Sequence, residues 1–314
     1  VDVEDWHQLA GRAVGRMGWD APHEEFVRQV DDTLELLGEL DVRATFFVLG
    51  MTARNHPGVV DRIAAEEHEI ACHGWAHVRA WTQSASGFRR DVEQGLAALD
   101  RLGIPAPSGY RAPAFSLTKK TPWAFGILAE LGFRYDSSHY DSPRIPGCLP
   151  AFEATPGPVI ELPIAVARIR GRRLPVGGGS YWRVLPRRLI RNAVSQLAVE
   201  PGFPVLYFHP YELGRAPLRL TLPHGSGAKV RARAAWKTVR YNPGRGRVSA
   251  LLTETAERLQ LVSCKEALAH VELARGSTPP RRLIALTPAN ERSSHDRSST
   301  VAIAGSPGAA EGQQ

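Results

Sequence analysis

The chain has 314 residues, 43% hydrophobic and 23% charged, proportions that exclude a wholly disordered chain, a collagen and a coiled coil. It contains no apolar run of bilayer-spanning length, and Cys72, Cys148 and Cys264 are too few and too scattered for a disulfide framework or a CxxC zinc module. The net charge of +7 is uneven, with 17 Lys/Arg against 2 Asp/Glu between residues 165 and 250 and 22 against 30 in the remainder.

The chain opens on Val1-Asp-Val-Glu-Asp5, which reads as a strand. His23 to Leu40 carries Phe26, Val30, Leu34 and Leu37 at helical spacing and leads into a β-branched and aromatic run, Val42 to Leu49, expected to be a buried strand. The rhythm then repeats. A helix over Gly58–Glu67 precedes a strand at Glu69–Cys72, and one over Phe88–Leu102 precedes Ser108–Arg111. A helix over Pro122–Leu131 precedes Phe133–Asp136, and Val159–Ile164 forms a further strand. Pro186–Ala198 feeds Pro204–Phe208, and Val248–Leu259 feeds a last strand at Gln260–Ser263. Strands alternating with helices of this length imply an α/β fold with a parallel sheet, and about seven such units suit a distorted β/α barrel. No G-x-G-x-x-G follows the first strand, which argues against dinucleotide binding. From Gly276 the composition turns to Ser, Pro, Gly, Ala and charge, so one domain over 1–275 and a disordered tail over 276–314 are expected.

Catalytic groups of β/α barrels project from the C-terminal ends of the strands. Those ends here hold Asp2, Glu4 and Asp5, then His73 and His77, then Arg111, Asp136 and His209. Each apolar strand thus finishes on an ionisable residue, and that coincidence is the main functional signal. An isolated H-x3-H pair is weak evidence of metal binding and could be two surface histidines. A carboxylate from another strand end would complete a two-His, one-carboxylate set with coordination positions left for water and substrate. The acidic cluster could instead be a solvated turn. If the strand persists, two-residue alternation puts Asp2 and Glu4 on one face, with Asp5 the competitor of Glu4.

These segments resemble the polysaccharide deacetylases of the chitooligosaccharide deacetylase homology type (carbohydrate esterase family 4), and most of all their exosortase-associated exopolysaccharide branch. The matching stretches are Val1-Asp-Val-Glu-Asp-Trp6, Arg43-Ala-Thr-Phe-Phe-Val48, His68-Glu-Ile-Ala-Cys-His-Gly-Trp-Ala-His77, Gly109-Tyr-Arg-Ala-Pro-Ala-Phe115, Tyr135-Asp-Ser-Ser138 and Tyr207-Phe-His-Pro-Tyr-Glu212. The resemblance implies a distorted seven-stranded barrel, a divalent metal, first of all Zn2+, and hydrolysis of N-acetyl groups on amino sugars. It makes Asp2 the general base, His73 and His77 metal ligands, and Glu4 or Asp5 the acidic ligand. It further makes Arg111 the partner that keeps Asp2 ionised, His209 the general acid and Asp136 the residue that orients His209. Commoner members carry two adjacent aspartates where this chain has Asp-Val-Glu-Asp.

That chemistry suits these residue types. An amide is a poor electrophile, so a Lewis acid, a carboxylate base and an acid for the departing amine are all required. No G-x-S-x-G nucleophile motif is present. The glycine-rich Gly177-Gly-Gly-Ser-Tyr-Trp182 lacks the Lys-Ser/Thr of a phosphate loop. It reads either as a flexible turn or as a sugar-contacting loop offering Tyr181 and Trp182, whereas Trp6, Trp75 and Trp123 read as packing residues.

The expected partner is an N-acetylated polysaccharide or oligosaccharide. The basic stretch 165–250 adds an anionic polymer or a membrane surface, with a solvated basic face as the plain alternative. Nucleic acid is not expected, because no recognition motif accompanies the charge. Two other functions fit the same residues: a non-catalytic carbohydrate-binding protein on this barrel, and a metal hydrolase of small amides. No basic and apolar leader opens the chain as given, so no signal peptide is expected and a cytoplasmic location is the default; a first residue of Val leaves the compartment open.

Overall fold

The first strand is shorter than its pattern suggests. In the computed structural model, which describes residues 1–15, 23–140, 159–169, 171–197, 203–214, 216–222 and 224–276, β1 is only Asp2–Val3. Asp5 ends it by capping α1 (Trp6–Ala13): its carboxylate accepts hydrogen bonds from the backbone N–H groups of His7 at 2.8 Å and Gln8 at 3.3 Å. The same side chain accepts from His23 N at 3.0 Å. His23 in turn caps α2 (Glu24–Glu39), whose first-turn Glu24 and Glu25 suit the helix dipole and whose Phe26, Val30, Leu34 and Leu37 are buried.

β2 (Thr45–Val48) is buried at every position, as a central strand covered on both faces must be. After α3 (Gly50–Asn55) and α4 (Pro57–Ala65), β3 (Glu69–Cys72) pairs with it in parallel along its full length. α5 (Ala85–Asp100), β4 (Gly109–Tyr110), α6 (Ala124–Glu130), β5 (Tyr135–Asp136) and β6 (Ile160–Glu161) continue the alternation. The six strands form one parallel sheet in sequence order, β1 through β6.

The seventh position is not a regular strand. The stretch expected as a strand at Pro204–Phe208 is held by single parallel bridges, Val205 to Ile164 and Tyr207 to Gly178, and by Asp2 N donating to Phe208 O at 3.0 Å. It therefore reaches both edges of the sheet. Gly178 is required there, since at φ +135° a Cβ would fall on the Tyr207 carbonyl. The expected strand at Gln260–Ser263 does not form. Phe208 already occupies the free edge of β1, and the segment instead leads into α11 (Cys264–Gly276), whose first N–H bonds Thr45 Oγ1 at 2.7 Å.

An antiparallel hairpin, β7 (Val166–Ile169) with β8 (Arg172–Pro175), precedes α7 (Ser180–Val184) and α8 (Arg187–Leu197). α9 (Ala228–Tyr241) and α10 (Val248–Ala256) follow. The largest apolar core joins α2, β2, α4 and α10, with Trp182 inside it at 2% exposure. Trp182 donates its indole N–H to Val176 O at 2.8 Å, so it is a core residue and offers no sugar platform. Cys72 and Cys264 are buried thiols. Cys148 and the expected tail beyond Gly276 lie outside the described residues.

Candidate active site

Glu4 sits just past β1, and its Oε1 lies 2.8 Å from His77 Nε2 and 3.2 Å from His73 Nε2. Its other oxygen is 3.5 Å from His209 Nε2. Asp2, from β1 itself, places Oδ2 3.9 Å from the same His209 nitrogen. Residues from three separate strand ends thus converge on one point, as the barrel logic requires.

Each member is held from behind. His73 Nδ1 lies 2.7 Å from the Arg111 carbonyl oxygen, an acceptor only, so Nδ1 carries a proton and Nε2 is the ring atom turned to Glu4. His77 adopts φ 54°, an unusual conformation for a non-glycine residue. The loop carrying it is braced by Asp91 of α5, whose Oδ2 accepts from Trp75 N at 3.0 Å. Arg111, fully buried, donates to Asp2 Oδ1 at 2.6 Å and to the backbone oxygen and hydroxyl of Ser137 at 2.9 Å each. Its guanidinium also stands 4.0 Å from the Phe47 ring centroid.

The electrostatics follow from this enclosure. Burial would raise the pKa of Asp2, but Arg111, His73 and His209 beside it hold it below the ordinary carboxylate value. Glu4 is likewise buried, and the imidazoles of His77, His209 and His73 bring it well below its usual range. Burial opposes a charge on His209, yet Glu4, Glu212 and Asp2 raise its pKa to about 9.

Two residues assigned from the sequence stand elsewhere. Asp5 spends its carboxylate on the α1 cap and on His23 N, which turns it away from the imidazoles and leaves Glu4 as the acidic partner of His73 and His77. Asp136 does not touch His209. It accepts from Ser138 N at 3.0 Å and from the Ser138 hydroxyl at 2.7 Å, and that hydroxyl in turn accepts from Ala112 N, next to Arg111. The His209 ring is oriented by Glu212, whose Oε2 lies 2.9 Å from Nδ1 and accepts from His209 N at 3.1 Å. Arg183 of α7 donates to the other Glu212 oxygen at 2.8 Å.

Glu212 was missed although it lies three residues beyond His209, the spacing that joins the ends of one tight turn. Also unanticipated are Glu161 and His139. With Asp136 they form a second buried cluster in which Glu161 Oε2 lies 3.0 Å from His139 Nδ1. Burial and the neighbouring carboxylate push Asp136 well up, and burial brings Glu161 to about 7.

The donor set fits a divalent cation. Glu4, His73 and His77 each offer a ligand atom, and all lie within 4.8 Å of one another. Two neutral imidazoles and a carboxylate are a ligand set that suits zinc and leaves a coordination position open.

Comparison with known proteins identifies the family. A family model described as polysaccharide deacetylase matches residues 18–135, and one described as a domain of unknown function (DUF3473) matches residues 133–268. A chitooligosaccharide deacetylase of Sinorhizobium fredii is 34% identical over 152 residues, covering 46% of this chain and 67% of that protein. The chain belongs to the polysaccharide deacetylase family. A peptidoglycan-N-acetylglucosamine deacetylase of Bacillus cereus is 34% identical over 94 residues, 30% of this chain and 33% of that one. The match to curated deacetylases extends over 22% to 67% of their lengths. In fold, the chain is similar to a crystal structure described as a polysaccharide deacetylase from Mycobacterium smegmatis, with TM-score 0.56 and 22% identity over 90% of this chain and 91% of that one. The polysaccharide deacetylase model covers His73, His77 and Arg111 but begins after Asp2 and Glu4.

Proposed function

We propose that the protein is a metal-dependent hydrolase that removes N-acetyl groups from amino sugars of a polysaccharide. One observation carries this reading: the Glu4 carboxylate meets the Nε2 atoms of His73 and His77, with Asp2 and His209 alongside. Glu4, His73 and His77 would hold the ion, zinc being the best match to that donor set. When bound, a divalent ion supplies Lewis acidity that polarises the amide carbonyl and lowers the pKa of water.

The remaining work falls to side chains. Asp2, kept ionised by Arg111, takes a proton from the attacking water. His209 carries its own proton on Nε2 at the same point and gives it to the amine nitrogen as the C–N bond breaks, leaving acetate and a free amino sugar. Glu212 accepts from His209 Nδ1 and keeps the ring aimed. Arg111 is the group through which His73 and Asp2 are aligned together, since its carbonyl meets one and its guanidinium the other. The resemblance of Gly177-Gly-Gly-Ser-Tyr-Trp182 to the glycine-rich loop of the exopolysaccharide branch supports an extracellular polysaccharide as the substrate.

Acetate release from N-acetylated chitooligosaccharides, compared with small amides, tests the proposal. Release from the oligosaccharides that is abolished by chelator and restored by metal is the expected result. Glycan binding without acetate release would make the protein a carbohydrate-binding one, and turnover confined to small amides would move the substrate class.

A further inference from the structure

α9 is built the wrong way round for a helix packed on a protein core. Only Ala234 among its 14 residues is buried. Ala228, Ala232, Ala235 and Val239, spaced i, i+4, i+7 and i+11, form an exposed stripe with Trp236 beside it. Trp236 is 55% and Val239 71% exposed. Lys229, Arg233, Lys237 and Arg240 run along one flank of the stripe and Arg231 lies on the other, with no acidic residue on the helix.

These cations are not balanced by carboxylates among the described residues. Among the described residues none of the five forms an ion pair, whereas Arg28, Arg62, Arg89, Arg187 and Arg191 on other helices each reach a carboxylate. Lys237 and Arg240 instead stand over the Trp236 ring, at 6.0 and 5.2 Å from its centroid. Partial burial, with Arg240 and then Arg79 nearby, lowers the pKa of Lys237. Arg79 lies over the ring of Trp81, itself 40% exposed, just after His77. The cationic face therefore extends from α9 to the loop that carries a site histidine.

We propose that this face of α9 seats the protein on an anionic lipid bilayer, with Trp236 and Val239 entering the headgroup region and the flanking cations meeting lipid phosphates. An apolar stripe bordered by Lys and Arg, with Trp on it, is the pattern of a helix lying in a membrane interface. An acidic polysaccharide would satisfy the same charges but gives the Ala–Val stripe nothing to do. No described helix is long and apolar enough to cross a membrane, so contact through α9 lies along the surface. The inference is independent of the deacetylase reading, because binding can be measured without turnover.

The test is co-sedimentation of the full chain with vesicles of mixed phosphatidylglycerol and phosphatidylcholine, against phosphatidylcholine alone. Binding to the anionic vesicles only, weakened by salt, is expected. Two variants separate the contributions: Trp236→Ala with Val239→Ala, and Lys229, Arg233, Lys237 and Arg240 each changed to Gln. Each should lose binding on the order of tenfold or more, with thermal unfolding unchanged, and each is read separately so that misfolding of one leaves the other decisive. Vesicle binding that is absent, or equal in both variants and the parent chain, would overturn the proposal. Retention on an acidic polysaccharide but not on vesicles would also overturn it and assign the face to a glycan.

Discussion

The carboxylate of Glu212 is shared between His209 and Arg183, with Oε2 2.9 Å from the imidazole Nδ1 and Oε1 accepting from the guanidinium at 2.8 Å. Because the same residue also accepts from His209 N, the ring and its backbone are fixed by one side chain. A buried carboxylate with three charge-assisted partners is kept ionised, and burial notwithstanding, His209 and Arg183 hold Glu212 below its ordinary pKa.

Glu212→Gln is therefore expected to lower kcat for acetate release by about ten- to a hundredfold, part of the span attributed to a positioned general acid. Metal content should stay at the parent level, since Glu212 does not touch Glu4, His73 or His77. Parallel steady-state kinetics and elemental analysis check this; unchanged kcat would remove Glu212 from the mechanism.

Arg111→Met should be strongly destabilising. It strands Asp2, which is 3% exposed, without its partner and frees the Ser137 hydroxyl. Breaking a buried ion pair from one side costs about 3–5 kcal/mol. Denaturant unfolding of the variant measures it, and a loss of well under about 1 kcal/mol would show that the pair is not tightly coupled to folding.

Glu161 should impose a pH dependence. Its pKa is raised from the ordinary 4.5 to about 7 by burial, so the folded state holds a proton that the unfolded chain has released. The stabilisation is complete below the unfolded value and disappears as pH rises through the folded one. The Glu161 contribution to the unfolding free energy should fall between about pH 4.5 and 7, by on the order of 3 kcal/mol. Glu161→Gln should flatten that slope. His68 acts in the opposite sense, since burial lowers its pKa to about 4 and its contribution fades as pH drops from 6.5 towards that value. The two windows overlap between about pH 4.5 and 6.5 and oppose each other there, so urea unfolding at a series of pH values is compared between the parent chain and Glu161→Gln, and their difference isolates the Glu161 contribution.

Asp91→Asn should act through the loop that it braces. The carboxylate accepts from Trp75 N, and the strained His77 depends on that loop. Metal affinity is expected to fall by about ten- to a hundredfold, the range for losing an outer partner of a ligand, with far-UV circular dichroism unchanged. A titration with the metal alone gives the answer, and parental affinity would make the Asp91 contact purely structural.

Much of the framework was legible because its signals are local. Apolar runs of strand length, each ending on an ionisable residue, mark Asp2, Glu4, His73, His77, Arg111 and His209 in the sequence itself, together with Asp5 and Asp136. What the sequence withheld is adjacency. It cannot say that the turn after Phe208 folds Glu212 back onto His209, or that Asp136 faces Glu161 and Ser138 instead, because those pairings depend on which strand ends lie side by side. Asp5 did carry a readable signal: Asp5-Trp-His-Gln8 is close to a capping box, and it marks the start of α1. The last expected strand failed for a topological reason, since Gln260–Ser263 has the right residues but finds the β1 edge taken by Phe208. α9 was visible only as part of the basic stretch 165–250, because a stripe made mostly of alanine gives a weaker apolar pattern than the Leu, Val and Phe of a core-facing helix.

Elemental analysis of the purified chain beside His73→Ala, Glu4→Gln and Asp2→Asn bears most directly on the site. One divalent ion per parent chain is expected, lost in His73→Ala and Glu4→Gln and largely kept in Asp2→Asn, while all three lose acetate release. Full metal content in Glu4→Gln and His73→Ala, or none in a parent chain that still releases acetate, would contradict a cation held by Glu4, His73 and His77.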